Sequence, residues 1–267
     1  MKKIVLILVS IFSFGCSSNE DNLEAEYAQY INSNSIASEI QFMPEETYTN
    51  YSEVQNPTLR LKLITKEFFP CINYGIATSE FINGTELIVR LEEIVNPGGC
   101  LTAIGPATKY IDLPQNINKL TFINGKTIDQ YNITIDSQKV KINLIASSFT
   151  TSLYENTFRY PENSFAYICG TNNTNTNIYT DFLNILLANP SLKEISFQGE
   201  GRIPYPVTSS GNWVNNKTRY FKYNSFSDFE ALGQTLTNYK NGNITPNTGV
   251  TIALKSWNNL NHYSWMN

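Results

Sequence analysis

The sequence is poor in the side chains on which most enzymes and metalloproteins depend. It contains one histidine, His262, and no cysteine stands near it. A G-x-S-x-G nucleophile turn, an H-E-x-x-H zinc pattern, paired C-x-x-C motifs and an acidic calcium loop are all missing from the sequence. We therefore expect no Ser-His or Cys-His enzyme, no metal site built from neighbouring residues and no cofactor.

Basic residues are also scarce. The chain has 19 Lys and Arg against 23 Asp and Glu, and its formal net charge is -4. Its basic pairs, such as Lys139 with Lys141, occupy the alternate positions of a solvated strand face, so no basic patch exists and nucleic acid is not an expected partner.

Residues 16–56 contain no Lys or Arg at all. The same stretch holds eight acids: Glu20, Asp21, Glu24, Glu26, Glu39, Glu45, Glu46 and Glu53. Phosphate-bearing lipid head groups repel such a segment. We therefore expect an acidic tether that stands the folded part of the protein away from a membrane.

The start of the chain has the form of an export signal. Lys2 and Lys3 precede an apolar run over residues 4–14, and Gly15 and Cys16 follow it. This run is too short to remain as a membrane-spanning helix, so residues 1–15 are interpreted as a signal peptide that is removed. Cys16 then becomes the first residue of the mature chain.

Gly15-Cys16 followed by the short acidic stretch 17–21 resembles the export signal of Bacteroidota surface lipoproteins. Gly15-Cys16 departs from the usual pattern in one respect, because Phe14 stands where a small residue is common. The resemblance covers about twenty residues and implies lipidation (palmitate) on Cys16 and a location on the outer face of the outer membrane.

The pattern along the chain changes at several places, and it predicts four parts. These are a signal peptide (1–15), an acidic tether with a short helix (16–57), a β-sandwich domain (58–150) and an α+β domain (158–267). Within the tether, the apolar residues of 36–57 follow no regular helix or strand spacing, and the stretch contains two prolines. This indicates a linker that includes at most an edge strand. Residues 146–163 are rich in Ser, Thr and Asn and are interpreted as the boundary between the two domains.

The β-sandwich domain is predicted from apolar residues that recur at every second position. Leu59, Leu61 and Leu63 alternate with more polar positions, and the Asn-Gly dipeptides 83–84 and 124–125 indicate tight hairpins. About seven short strands with regularly spaced turns favour an antiparallel, immunoglobulin-like sandwich.

The second domain alternates strands and helices. Residues 165–169, 192–198, 219–223 and 250–254 are predicted strands. A helix with Phe182 and Leu186 on one face follows the first of them, and Ser227 and Glu230 have capping-box spacing for a second helix. The order strand, helix, strand, strand, helix, strand is that of the ferredoxin-like (βαββαβ) fold, in which both helices cover one face of the sheet.

Three cysteines remain after Cys16. Cys71 follows a proline and Cys100 follows Pro-Gly-Gly, so both lie at turns, and we pair them in a disulfide bond at the open end of the first hairpin. Cys169 lies in an apolar run and is interpreted as a buried, inert thiol.

The candidate site residues lie in or near the long connection 199–218 and at the C-terminus. Glu200 stands between two glycines beside Arg202, which suits a carboxylate and an anion partner, although a bend at an exposed strand end is the favoured interpretation. Tyr205, Trp213 and Trp265 are candidates for stacking on a sugar or a partner protein, and core packing is their alternative role.

The sequence is compatible with three functions. The first is a non-enzymatic accessory subunit that docks onto an outer-membrane protein complex through residues 199–218. The second is a glycan-binding lipoprotein that uses the same aromatic residues. The third is a carboxylate-based hydrolase with Glu200, since two acids can meet from any distance in the sequence.

Overall fold

The computed structural model describes residues 19–96, 98–100, 103–206 and 214–266. The predicted signal peptide, Cys16 and Trp213 lie outside the described residues. Within these ranges the chain is mostly β, with sixteen strands and three helices arranged in two units. We call residues 40–158 the first unit and residues 164–266 the second unit.

The first unit is a ten-stranded sheet. Its strands are β1 (Ile40–Thr47), β2 (Thr58–Phe69), β3 (Gly75–Asn83), β4 (Glu86–Val95), β5 (Gly105–Asp112), β6 (Lys119–Asn124), β7 (Thr127–Ile135), β8 (Lys139–Ala146), β9 (Thr150–Ser152) and β10 (Asn156–Phe158). They lie in the order β10-β8-β7-β6-β4-β3-β5-β2-β1-β9. Neighbours are antiparallel except for the pairs β1 with β9, β3 with β5 and β4 with β6.

The alternation predicted for β2 is confirmed. Leu59, Leu61 and Leu63 are buried in the core, whereas Arg60 and Lys62 between them are partly exposed. Successive side chains of a strand point to opposite faces, so this spacing turns one face of β2 inward. Strands with this pattern supply most of the apolar core of the first unit.

The sheet curls until its distant strands face each other. The ring of Phe42 on β1 lies 4.8 Å from the ring of Phe122 on β6 and 4.8 Å from the ring of Tyr131 on β7, measured between centroids. An immunoglobulin-like sandwich has two separate sheets, whereas these ten strands follow one hydrogen-bonded path. The first unit is therefore all-β, with a core enclosed by a single curled sheet.

Strand β1 lies where the sequence indicated a linker. The main-chain N–H of Ile40 donates to the oxygen of Phe149 (2.9 Å), and the oxygen of Phe42 accepts from the N–H of Leu153 (2.8 Å). Even-numbered residues of β1 therefore turn their main-chain groups toward β9. Since β9 pairs only as far as Phe42, the missing N–H of Pro44 leaves no ladder bond unmade, and proline is tolerated inside the strand.

Residues 147–158, which we call the seam, close the gap between β8 and β1. β9 pairs with β1 and β10 pairs with β8, so the seam crosses from one end of the sheet to the other. The sheet thus extends past the predicted range 58–150 at both ends, with β1 before it and β10 after it.

A buried carboxylate holds the first turn of the seam. Asp129 is fully buried and accepts hydrogen bonds from the main-chain N–H groups of Ser148 (2.8 Å), Phe149 (3.0 Å) and Thr150 (2.6 Å). It also accepts from the hydroxyls of Ser148 (3.1 Å) and Thr150 (2.7 Å). Five donors on one carboxylate determine the direction in which the chain leaves β8.

The N-terminal part of the predicted tether packs on the first unit. After helix α1 (Asn19–Glu26), Tyr27 is buried against Ile88 and Ile123 on the outer face of the sheet. Its hydroxyl donates to Oε1 of Glu86 (2.6 Å) and accepts from Nζ of Lys119 (2.8 Å). We call residues 23–36 the N-terminal segment.

Glu92 holds the far end of the N-terminal segment. Its carboxylate accepts from the side-chain amides of Asn32 (3.0 Å) and Asn34 (2.7 Å), from Ser79 (2.6 Å) and from Nε of Arg90 (2.7 Å). Partial burial opposes ionisation, but these hydrogen bonds outweigh it and lower the pKa of Glu92 to about 2.

The second unit is an α+β layer. Its strands are β11 (Ser164–Thr171), β12 (Leu192–Ile195), β13 (Val214–Asn215), β14 (Arg219–Tyr223), β15 (Thr251–Ser256) and β16 (Asn261–Tyr263), and its helices are α2 (Asn177–Ala188) and α3 (Phe226–Asn243). The strand order is β12-β14-β11-β15-β16, and β13 pairs with β11. The pairs β12 with β14, β14 with β11 and β11 with β15 are all antiparallel.

Both predicted helices are present, and both pack on one core. Phe182 and Leu186 of α2 are buried there, as the sequence indicated. The capping box of α3 is formed by Ser225 and Asp228, so the predicted box at Ser227 and Glu230 is wrong by two residues. Among the described residues, no helix is long and apolar enough to cross a membrane.

The predicted disulfide bond between Cys71 and Cys100 is confirmed. It joins the connection before β3 to the connection after β4, at the open end of that hairpin. Cys169 is a buried free thiol whose pKa is raised to about 11 by burial. A thiol with so high a pKa is a poor nucleophile at neutral pH.

Candidate functional site

The two units are joined by charged groups on β1. The carboxylate of Glu46 accepts from Nε of Arg159 (2.9 Å) and from the main-chain N–H of Tyr160 (2.6 Å), both in the connection between the units. Burial raises the pKa of Glu46, and these two donors oppose the rise. Glu46 thus holds the connection against the end of the curled sheet.

Arg202 of the second unit lies beside the free edge of β10. The main-chain N–H of Arg202 donates to the oxygen of Asn156 (2.9 Å), and the oxygen of Arg202 accepts from the N–H of Phe158 (2.8 Å). A Cβ at Gly201 would stand 2.8 Å from the oxygen of Asn156. The glycine therefore permits a close approach to protein backbone.

The guanidinium of Arg202 forms an ion pair with Glu45 on the outer face of β1. The same carboxylate accepts from the hydroxyl of Tyr110 (2.8 Å), and Nζ of Lys62 lies 3.8 Å from it. The charge of Glu45 is thus balanced by bases from both units.

A cavity of about 630 Å³ opens between the units at this junction. We call it the groove. Its lining combines two acids, one arginine and six tyrosines with main-chain and apolar atoms, and comprises Glu45, Glu46, Thr47, Tyr48, Tyr51, Tyr110, Tyr154, Tyr160, Gly201, Arg202, Ile203, Pro204, Tyr205 and Pro206.

Four of the tyrosines are fixed by their hydroxyls. Tyr110 donates to Glu45, Tyr48 donates to the main-chain oxygen of Trp257 (2.7 Å) and Tyr160 donates to that of Pro204 (2.9 Å). The hydroxyl of Tyr205 shares a hydrogen bond with that of Ser164 (2.8 Å). Burial raises the pKa of all four phenols, that of Tyr160 to about 12, so they are neutral at physiological pH.

The other two tyrosines form the rim of the groove. Tyr51 is 70% exposed and Tyr154 is 41% exposed. The ring of Tyr51 stands edge-on to that of Tyr48, with 5.9 Å between centroids, so the exposed ring has a fixed neighbour. The groove therefore has rigid, neutral hydroxyls inside and aromatic faces at its mouth.

The structure brings together only part of the predicted site. Arg202 and Tyr205 line the groove, although Tyr205 is 3% exposed and contributes little of its ring to solvent. Glu200 is exposed and stands next to the lining without belonging to it. Trp265 is 54% exposed beside Tyr263, at the edge of the second sheet.

Sequence reasoning missed most of the groove. Tyr48 and Tyr51 fall in the stretch interpreted as a linker, and Tyr154 and Tyr160 fall in the stretch interpreted as a domain boundary. A signal was nevertheless present, because tyrosines are unusual in linkers. Polar segments that contain several aromatic rings indicate packed or binding loops.

No cluster of three or more His, Cys, Asp or Glu side chains suited to a metal ion occurs in the part of the chain that the structure describes. The groove is characterised by its tyrosines and by one charged pair, Arg202 with Glu45, that spans the two units.

Comparison of the chain with protein-family models, with curated proteins and with solved structures found no match.

Proposed function

We propose that the protein is a non-enzymatic surface lipoprotein that binds a neutral glycan chain in the groove. The observation that carries the proposal is the set of six tyrosines around a cavity of about 630 Å³ between two units. Ligand sites are often found at such junctions, and volumes of about 300–1,000 Å³ are typical for them.

The chemistry of the lining favours a sugar. Aromatic faces such as those of Tyr51 and Tyr154 attract the C–H faces of pyranose rings, while fixed main-chain and hydroxyl groups bond to sugar hydroxyls. Because Glu45 is paired with Arg202 and Lys62, the groove presents little uncompensated charge. A neutral glycan therefore suits it better than a charged one.

The acids of the groove support binding rather than hydrolysis. A glycosidase needs one free carboxylic acid and one free carboxylate beside the bond to be broken. Glu45 and Glu46 are both held in ion pairs with arginine, and Glu200 is exposed outside the lining. These contacts give the carboxylates a positioning role.

Tyrosine substitutions at the rim test the proposal. Loss of one stacked ring costs about 1 kcal/mol, so Tyr51→Ala or Tyr154→Ala should weaken retention on a matching polysaccharide about fivefold in affinity electrophoresis. Tyr51→Phe should retain binding because the ring is kept. Phe68→Ala is the matched control, since Phe68 is 65% exposed and lies outside the groove.

Failure of every polysaccharide in a broad panel to retain the wild-type protein would contradict the proposal. Equal retention of wild type, Tyr51→Ala and Tyr154→Ala would move the glycan site elsewhere. Loss of retention in Trp265→Ala alone would place the glycan site at the exposed Trp265, another candidate stacking residue.

The lipid anchor on Cys16 and the outer-membrane surface location are part of the proposal and rest on the resemblance of residues 1–21 to the Bacteroidota export signal. We also propose a ferredoxin-like classification for the second unit. Its support is the antiparallel order β12-β14-β11-β15 together with α2 and α3 on one core. For the first unit, we propose that opposite parts of the single curled sheet pack on each other as the two layers of a sandwich do, and that this sheet is the scaffold of the groove.

Docking onto an outer-membrane protein complex is a second candidate function. It is favoured by Leu144 at the end of β8, which is 62% exposed and lines a second cavity of about 500 Å³ along the seam. In the predicted contact region 199–218, residues 201–206 line the groove. If docking is the function, purification of the lipoprotein from its own membrane should recover a stoichiometric partner. That partner should be lost in Leu144→Asp and retained in Phe68→Asp.

A further inference from the structure

From the position of the N-terminal segment we infer that the protein turns toward the phospholipid head groups of its membrane the side of the first unit on which this segment covers β4 and β6. The groove is then displayed on the opposite side of the first unit. The inference rests on the lipid anchor of the proposed function, and it gives the anchored protein a fixed orientation.

The N-terminal segment is fastened to the sheet along its length. Tyr27 is 1% exposed, with its hydroxyl bonded to Glu86, Lys119 and Gln130. Farther along, the main-chain N–H of Ile36 donates to Oδ1 of Asn124 (2.8 Å). Residues 27–36 therefore do not act as a flexible spacer.

Little chain remains between this attachment and Cys16. Helix α1 begins at Asn19, three residues after Cys16, and three extended residues span at most about 11 Å. The eight residues of α1 add about 12 Å. A lipid on Cys16 is thus attached within about 25 Å of Tyr27, so the anchor holds the side of the first unit that carries Tyr27 near the membrane.

The charges on this side permit contact with a membrane. The sequence alone predicts that the acidic stretch is repelled by phosphate groups, but Glu24 of that stretch is paired with a lysine of the sheet. Nζ of Lys126 lies 2.8 Å from Glu24, and Nζ of Lys119 lies 3.3 Å from Glu86. Lysines of the sheet therefore compensate part of the negative charge on this side.

The groove points the other way because β1 and β6 face each other across the core. Phe122 on β6 and Phe42 on β1 are in contact inside the sheet. Ile123, next to Phe122, points outward onto Tyr27, whereas Glu45 on β1 points outward into the groove. The two outer faces are thus on opposite sides of the first unit.

Fluorescent labels at two positions test the orientation. The acylated full-length protein carries a label on Lys126→Cys, beside α1, or on Lys193→Cys, on β12 of the second unit; the first variant gives up the ion pair with Glu24 but keeps the contacts of Tyr27 that hold the segment. It is reconstituted in phosphatidylcholine and phosphatidylethanolamine vesicles with nitroxide-labelled head groups. We expect at least twofold quenching at position 126 and no quenching at position 193.

Tyr27→Ala provides the second measurement. It should release the N-terminal segment, so the quenching at position 126 should fall to the level at position 193 while the protein stays on the vesicles. Equal quenching at both positions in the wild type, or unchanged quenching in Tyr27→Ala, would overturn the orientation and leave the anchor in place. Failure of the wild type to associate with vesicles, as expected for Cys16→Ser, would overturn the anchor and the orientation together.

Discussion

Replacing Asp129 by Asn should destabilise the first unit far more than an isosteric change usually does. One carboxylate oxygen of Asp129 accepts from the N–H and hydroxyl of Ser148, and the other accepts from Phe149 and Thr150. An amide has only one acceptor oxygen, so its NH2 group must face main-chain N–H donors on one side. At least one buried donor then loses its partner.

The expected loss is about 3 kcal/mol. A hydrogen bond to a charged group contributes about 1.5–3 kcal/mol, and an unpaired buried donor costs about 1–3 kcal/mol. Asp129→Asn loses one or two such bonds and the charge that strengthens the others. For a chain of this size the loss corresponds to a fall of about 6–12 °C in melting temperature.

Urea unfolding followed by far-ultraviolet circular dichroism measures this loss, because the three tryptophans, residues 213, 257 and 265, all fall outside the first unit. Asp112→Asn is the matched control, because Asp112 is an exposed carboxylate paired with Arg60 and such pairs contribute less than about 1 kcal/mol. If Asp129→Asn stayed within about 0.5 kcal/mol of the wild type, the turn of the seam would be held by other contacts and the reasoning would be refuted.

Three further changes probe other parts of the fold. Replacing Cys71 and Cys100 by serine should lower the free energy of unfolding by about 3–4 kcal/mol, because the disulfide closes a loop of 29 residues in the unfolded chain, and urea unfolding measures it. Gly233→Ala should destabilise α3 by about 1 kcal/mol in the same assay, since its Cβ would stand 2.8 Å from the ring of His262 and the resulting strain exceeds the gain in helix propensity. The lowered pKa of Glu92 adds stability above its unfolded pKa near 4.5 that is lost as pH falls toward about 2, so Glu92→Gln should flatten the stability profile over that range.

Each of these changes has its own check. Reductant should destabilise the wild type as much as the double serine substitution and should leave the variant unchanged. Gly242→Ala in the same helix should not destabilise, because nothing lies within 4 Å of its Cβ. Glu93→Gln, at the exposed neighbour of Glu92, should keep the acid profile of the wild type; an equal effect of both substitutions would contradict the role given to Glu92.

The features that the sequence predicts well are local ones. The apolar stripe of α2, the alternation in β2 and the pairing of Cys71 with Cys100 all follow from residues close together in the chain or joined by one hairpin. Short-range patterns of this kind are predictive because the spacing of apolar side chains along the chain differs between a helix and a strand. The shift of the α3 capping box arose because Ser225 with Asp228 and Ser227 with Glu230 have the same spacing.

The features that the sequence does not predict depend on distant partners. β1 contains a proline and finds its place through pairing with β2 and with the seam. The groove is assembled from separations such as that between Tyr48 and Trp257, which are 209 residues apart. No local pattern encodes such contacts, so the tyrosines of the groove looked like isolated aromatic residues in polar loops.

The position of the seam allows the first unit to complete its sheet without the second unit. Every strand of the first sheet, from β1 to β10, is complete by residue 158, so the N-terminal unit can close before the second unit is synthesised. Arg202 reaches Glu45 only after both units have formed. The groove is consequently complete only when both units have folded, and binding of the proposed glycan would report that state.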